Sequence, residues 1–104
     1  MKTKNLAKVF KALSNEHRLE LFRLIYGQCQ MEERRAQKEG KECCEGIEKA
    51  FTKACGCLDL SRSTISHHFK ELQNAGLITC TRQGQTFMCR VNQESVEAVR
   101  DFLN

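Results

Sequence analysis

Leu60-Ser61-Arg62-Ser63-Thr64-Ile65-Ser66-His67-His68-Phe69-Lys70-Glu71-Leu72-Gln73-Asn74-Ala75-Gly76-Leu77-Ile78 holds one helix between a start signal and a stop signal. Ser61 is a residue type that accepts backbone N–H bonds at a helix start. Ile65, Phe69 and Leu72 then recur at helical spacing and mark one buried side. Asn74-Ala75-Gly76 supplies the stop. With the apolar side turned inward, Arg62, Ser63, Ser66, His67, Lys70 and Gln73 project outward, so hydroxyls near the N-terminus stand beside cations and an imidazole. Such groups suit contacts to phosphates and base edges.

C-terminal to this helix, residues 77–81 and 86–91 are rich in β-formers and flank Arg82-Gln83-Gly84-Gln85. That pattern predicts a β-hairpin with Gly84 in the turn. With Gln83-Gly84 as a two-residue turn, Cys80 faces Phe87 and Cys89 faces Ile78, making the two cysteines diagonal neighbours on one face. Asn92 can cap a last helix carrying Val96, Val99 and Leu103. On the N-terminal side, Leu6, Val9, Phe10 and Leu13 form a first amphipathic helix. Ser14 or Asn15 caps a second, whose apolar residues are Leu21, Phe22, Leu24 and Ile25 and whose end is expected at Gly27. Residues 28–46 mix charges with almost no apolar period and read as a solvated loop or a surface helical extension that adds little core. Ile47, Ala50, Phe51 and Ala54 predict a third helix ending near Cys55-Gly56.

Two helices joined by the short turn Leu58-Asp59-Leu60 and followed at once by a hairpin make a winged helix-turn-helix. The expected fold is therefore α+β, mainly helical with a two-stranded β-hairpin wing, in a single domain over 1–104 with 28–46 as a charged, cysteine-containing insertion. Arg82, Gln83 and Gln85 at the wing tip can reach a backbone or minor groove, or serve as an ordinary polar turn.

Composition agrees with one small globular domain: 104 residues, 40% hydrophobic and 29% charged, leave room for one core. Apolar runs are broken by charge within a few residues, far short of the roughly 20 that span a bilayer, and no secretory leader is recognisable. A cytoplasmic location with no membrane partner is expected. A net charge of +4 is compatible with a polyanionic partner without requiring one.

Leu13-Ser14-Asn15-Glu16-His17-Arg18-Leu19-Glu20-Leu21, taken with the 60–78 stretch, resembles the ArsR/SmtB family of winged-helix transcriptional repressors. The resemblance covers nearly the whole chain apart from residues 28–57. It implies a homodimer built through the first and last helices, seated on a palindromic operator in double-stranded DNA and released by an inducer. Ser63, Thr64, Ser66 and His67 match positions that family members use at DNA; with Ser61, Arg62, Lys70 and Gln73 they complete the helix part of the expected interface. Adjacent helical residues lie about 100° apart, so His67 and His68 cannot share a face. His67 is read as the DNA contact and His68 as a packed histidine near Ile65 and Leu72. His17 is read as a polar surface or capping residue.

The seven cysteines are an odd number in a chain expected to stay reduced, so they cannot all pair within one protomer. Thiolates bind soft metals and trivalent metalloids and also undergo reversible oxidation. Cys29, Cys43, Cys44, Cys55 and Cys57 are the candidate inducer ligands, as a subset; Cys80 and Cys89 are read as small apolar fill in the wing. A third helix of about 11 residues would be about 16 Å long, too far for Cys43-Cys44 and Cys55/Cys57 to share one ion along it. Family members often place Cys-x-Cys at the start of the helix before the recognition helix, whereas Cys55-Gly56-Cys57 sits at its end. Residues 92–104 contain no histidine, so no zinc site is expected on the last helix.

The functional expectation is a repressor released by arsenite-like metalloids or a soft metal, with no permanent cofactor. The alternatives are a thiol redox or persulfide sensor, and a winged-helix protein-interaction module that never reads DNA. No spacing assembles a nucleophile, a base and an orienting acid, and no phosphate-cradling glycine loop appears, so no enzyme is expected.

Overall fold

The computed structural model describes residues 2–38, 40, 47–48, 50–84 and 86–103. Among the described residues five helices and three strands follow one another: α1 (Thr3–Leu13), α2 (Glu16–Lys38), β1 (Ile47–Glu48), α3 (Ala50–Cys57), α4 (Arg62–Asn74), β2 (Ile78–Gln83), β3 (Thr86–Val91) and α5 (Gln93–Arg100). The strands form one antiparallel sheet in the order β1-β3-β2. The winged helix-turn-helix is present, with α3 and α4 joined through residues 58–61 and β2–β3 as the wing.

α2 departs most from the expected pattern, running through Gly27 to Lys38. Gly27 breaks nothing because its surroundings are open, and a glycine inside a long helix costs only about 1 kcal/mol against alanine. On either side of it, Leu21, Ile25, Cys29 and Ala36 form one buried stripe, and the Glu32–Arg35 ion pair at 3.2 Å spans one turn on the surface. The insertion therefore lengthens α2 and adds Cys29 and Ala36 to the core, although its charges hid that stripe.

Ile47 lies in β1 rather than in the third helix, and α3 starts at Ala50. β1 adds a third strand to the expected two-stranded hairpin by pairing Ile47 with Cys89 and Glu48 with Met88. The wing turn falls one residue later than expected: Gln83 pairs with Thr86, so Cys80 lies opposite Cys89 instead of Phe87, and Ile78 opposite Val91. The αL backbone of Gly84, φ +65°, is consistent with a tight connection there. α5 ends at Arg100, leaving Leu103 outside the helix and 89% exposed.

The caps form largely where the residue types suggest. Asn15 Oδ1 accepts from the Arg18 N–H at 3.0 Å, Ser61 Oγ from Thr64 N–H at 3.2 Å, and Asn92 Oδ1 from Glu94 N–H at 3.1 Å. The end of α4 is a Schellman turn. Gly76 at φ +80° donates to Gln73 O at 3.0 Å and Leu77 donates to Leu72 O at 3.0 Å, while Leu72 and Leu77 are both buried. The Gly76 carbonyl accepts from Asn92 Nδ2 at 2.9 Å and from the buried Ser95 hydroxyl at 2.7 Å, which ties the end of α4 to the start of α5. Among the described residues no helix is long and apolar enough to cross a membrane.

Candidate nucleic-acid interface

α4 presents its two sides cleanly. Ile65, His68, Phe69 and Leu72 are buried, whereas Ser61, Arg62, Ser63, Ser66, His67, Lys70 and Gln73 are exposed. Helical geometry puts Ser63, Ser66, Lys70 and Gln73 on one outward row, one to two turns apart. Thr64 is half-buried and belongs to the cap, its hydroxyl accepting from Ser61 Oγ at 2.8 Å. The Ser63 hydroxyl lies 3.3 Å from Ser61 Oγ, which completes a hydroxyl cluster at the helix start. No acidic residue occupies the first turn of α4, so nothing offsets the positive end of the helix dipole, where unsatisfied N–H groups favour an anion.

His67 and His68 separate as their spacing requires: His67 is exposed and His68 is 6% exposed. The His68 ring lies 6.0 Å from His67 and 6.5 Å from His17, and its buried Nδ1 has no hydrogen-bond partner. Burial, then the Arg18 charge, then His67 and His17 hold the His68 pKa below the ordinary histidine value, opposed only by Glu71. His68 therefore packs as a neutral ring. His17 is exposed, in the first turn of α2.

In the wing, Arg82 is exposed on β2. Gln83 belongs to β2, its side chain outside the described residues, and Gln85 also lies outside them. Lys8, Lys11 and Arg18, with Ala12, Glu71, Asn74 and Ala75, line an open cleft of about 320 Å³ beside the C-terminal half of α4. Arg18 is fixed there by Nε donating to Ala12 O at 2.7 Å. Nothing in the sequence signalled this cleft, because only the fold brings Lys8 and Lys11 of α1 beside α4.

The cysteines fall into different environments. Cys29 is buried in α2, Cys55 is half-buried and Cys57 exposed at the end of α3, while Cys43 and Cys44 lie outside the described residues. Among the described residues no three His, Cys, Asp or Glu side chains assemble into a metal-holding group. Cys80 and Cys89 are neither diagonal nor apart: their sulfurs are 2.6 Å from each other. Burial makes Cys89 part of the core, as expected, and Cys80 packs half-buried against it.

α1 and the chain end carry apolar surface. Phe10 and Phe102 stack edge to face with centroids 5.1 Å apart, and both remain exposed, as do Leu19 and Leu103.

Residues 39–79 match the family model described as bacterial regulatory protein, arsR family. Among solved structures, the chain is similar to an ArsR-like transcriptional regulator from Rhodococcus sp. RHA1, at 23% identity and a TM-score of 0.65, covering 96% of this chain and 76% of that one. It is similar to the transcriptional regulator HlyU from Vibrio vulnificus CMCP6, at 26% identity and a TM-score of 0.55, covering 93% and 81%. A homodimeric winged helix-turn-helix DNA-binding domain from Mycobacterium bovis matches at 22% identity and a TM-score of 0.61, covering 94% and 80%. No curated protein matches. The family match takes in the Leu60–Ile78 stretch that carried the resemblance, and the similar structures share the winged helix-turn-helix fold.

Proposed function

We propose that this chain is a transcriptional repressor that binds a palindromic operator as a homodimer and is released when a soft metal or trivalent metalloid binds its cysteine thiolates. One observation carries the DNA-binding part. α4 stands clear of the core along Ser63, Ser66, His67, Lys70 and Gln73, with an anion-favouring N-terminus and no acidic residue in its first turn. Bases are read by Ser63, Ser66, His67 and Gln73 of that row, and phosphates are held by the first-turn N–H groups, Arg62, Lys70 and the wing's Arg82. The exposed Phe10, Phe102 and Leu103 at the α1 and C-terminal surface supply the apolar patch through which a second copy docks. The M. bovis neighbour, described as homodimeric, supports that arrangement.

The inducer part rests on Cys55 and Cys57, which end α3 immediately before the turn into α4, and on Cys43 and Cys44 a short way before β1. A ligand gathered there moves α3, and with it the recognition helix, in each protomer. A coupling of about 1–3 kcal/mol corresponds to about 5- to 150-fold weaker operator binding.

Fluorescence anisotropy on palindromic and scrambled duplexes, with and without arsenite, zinc or cadmium, tests both parts. Tight salt-sensitive binding to duplex, reversed by one of these ions and made irreversible in a chain with Cys43, Cys44, Cys55 and Cys57 all changed to serine, is expected. Failure to bind any duplex at low salt leaves a protein-interaction module; release unaffected by the serine changes removes the thiolate mechanism.

A further inference from the structure

Cys80 and Cys89 are partners in the β2–β3 register, and their sulfurs are in direct contact. The hairpin closes on Gln83–Thr86. Counting back from that hydrogen-bonded closing pair, the alternation of antiparallel pairs makes Cys80–Cys89 a non-hydrogen-bonded pair. At such pairs the Cα atoms approach to about 4.5 Å, inside the range of about 4.4–6.8 Å that a disulfide spans. Both residues are free thiols.

The two are not equivalent. Cys80 is half-buried and reachable from solvent, while Cys89 has no exposed surface. The hydrogen bond between them stabilises a thiolate on Cys80 and pushes the Cys89 thiol up, with burial adding to the Cys89 shift. A reachable, activated sulfur thus lies against an enclosed one that keeps its proton.

We propose that Cys80 and Cys89 are an oxidisable dithiol site in the wing, at which a peroxide forms a reversible cross-strand disulfide with Cys80 attacking and Cys89 resolving. In the first step the Cys80 thiolate attacks one peroxide oxygen. An S–O bond forms, the O–O bond breaks, and the departing hydroxide takes a proton to leave as water. In the second step Cys89 loses its proton and attacks the Cys80 sulfur. The S–S bond forms, the S–O bond breaks, and a second water departs. The two thiols have given two electrons to one peroxide, and a small-molecule thiol restores them. The new bond locks the strands between the buried base at Ile78 and Val91 and the tip at Arg82 and Gly84. This chemistry does not depend on DNA binding, so its test stands apart from the repressor reading.

The reduced full chain is titrated with hydrogen peroxide, alkylated under unfolding conditions and digested with trypsin without reduction. Cleavage after Lys70, Arg82 and Arg90 puts Cys80 in peptide 71–82 and Cys89 in peptide 83–90. The expected product is these two peptides joined by a disulfide, from a chain that remains a monomer on a non-reducing gel, and lost on adding dithiothreitol. Cys89→Ala should trap Cys80 as a sulfenic acid that reacts with a 1,3-dione probe; Cys80→Ser should leave Cys89 fully alkylated. Recovery of both peptides in alkylated form, after enough peroxide to oxidise the other cysteines, overturns the site. So does a Cys80–Cys89 bond found only between protomers. A sulfenic acid on a different residue in Cys89→Ala overturns the assignment of Cys80 as the attacking thiol.

Discussion

Changing Gly27 to alanine and changing Gly76 to alanine should have opposite signs, although each adds one methyl group to open space. Neither added Cβ meets an atom within 4 Å, so packing contributes to neither. Gly27 lies inside α2 and is exposed. Alanine there removes the excess backbone entropy of glycine in the unfolded chain and gains about 0.5–1 kcal/mol. Gly76 sits at φ +80° in the Schellman turn. An L-side chain in that region costs about 1–2 kcal/mol. For a domain near 100 residues, about 4–8 °C accompanies each kcal/mol, so Gly27→Ala raises Tm by about 2–8 °C and Gly76→Ala lowers it by about 4–16 °C. Differential scanning calorimetry at one fixed protomer concentration measures both, because self-association shifts Tm. A Gly27→Ala chain that melts lower than the parent would mean that α2 ends at Gly27, and the placement of Cys29 and Ala36 in the core would fall with it.

Lys70→Ala should weaken binding about equally on all duplex sequences and reduce the slope of log affinity against log salt by about 1, since on the proposed reading this exposed ammonium serves phosphate. Asn92→Ala removes both the α5 cap and the bond to Gly76 O and should cost about 0.5–2 kcal/mol, read as a lower urea midpoint at unchanged m value. The lowered pKa of His68 means that between that value and the ordinary 6.5 the unfolded chain binds more protons than the folded one. Stability is therefore complete above about pH 6.5 and is lost as the pH falls through that window, and His68→Leu should flatten the acid limb of a Tm-against-pH curve.

Residues with one dominant local role were legible from the sequence. Ser61, Asn92 and Gly76 each offer the backbone something specific, a side-chain acceptor or a left-handed turn, and the chain uses them where they stand. α4 was readable because Ile65, Phe69 and Leu72 show a single period and the polar residues between them leave no competing face. Gly27 misled because glycine is as compatible with a helix interior as with a stop when the following residues are good helix formers. Ile47 misled because one apolar residue fits either period, and the edge of β3 decided for the strand. The one-residue shift of the wing turn has the same origin: Gln83-Gly84 and Gly84-Gln85 are locally similar, but only the later turn puts Ile78 opposite Val91, both buried. The contact between Cys80 and Cys89 is a consequence of that register and could not be reached without it.

Register also bears on how a signal in the insertion would reach DNA. Cys44 precedes Ile47 by three residues, a chain distance of at most about 10 Å, and Ile47 pairs with Cys89 in β3. Cys55 and Cys57 end α3, and Ser61 begins the capped turn of α4 four residues later. On the proposed reading, ligands held by the thiols before β1 and by those after α3 would pull on two elements, the wing through β1 and the recognition helix through the 58–61 turn. On the proposed reading these two would contact DNA from different sides of the domain, and a dimer on its operator would need both in fixed relation to their symmetry mates. A small rotation of α3 would then be enough to disturb operator fit, because packed elements shift between discrete arrangements rather than deforming smoothly. Helix α2 gives the lever something to act against. Its extension to Lys38 fixes the chain on the near side of the insertion through the buried Cys29 and Ala36.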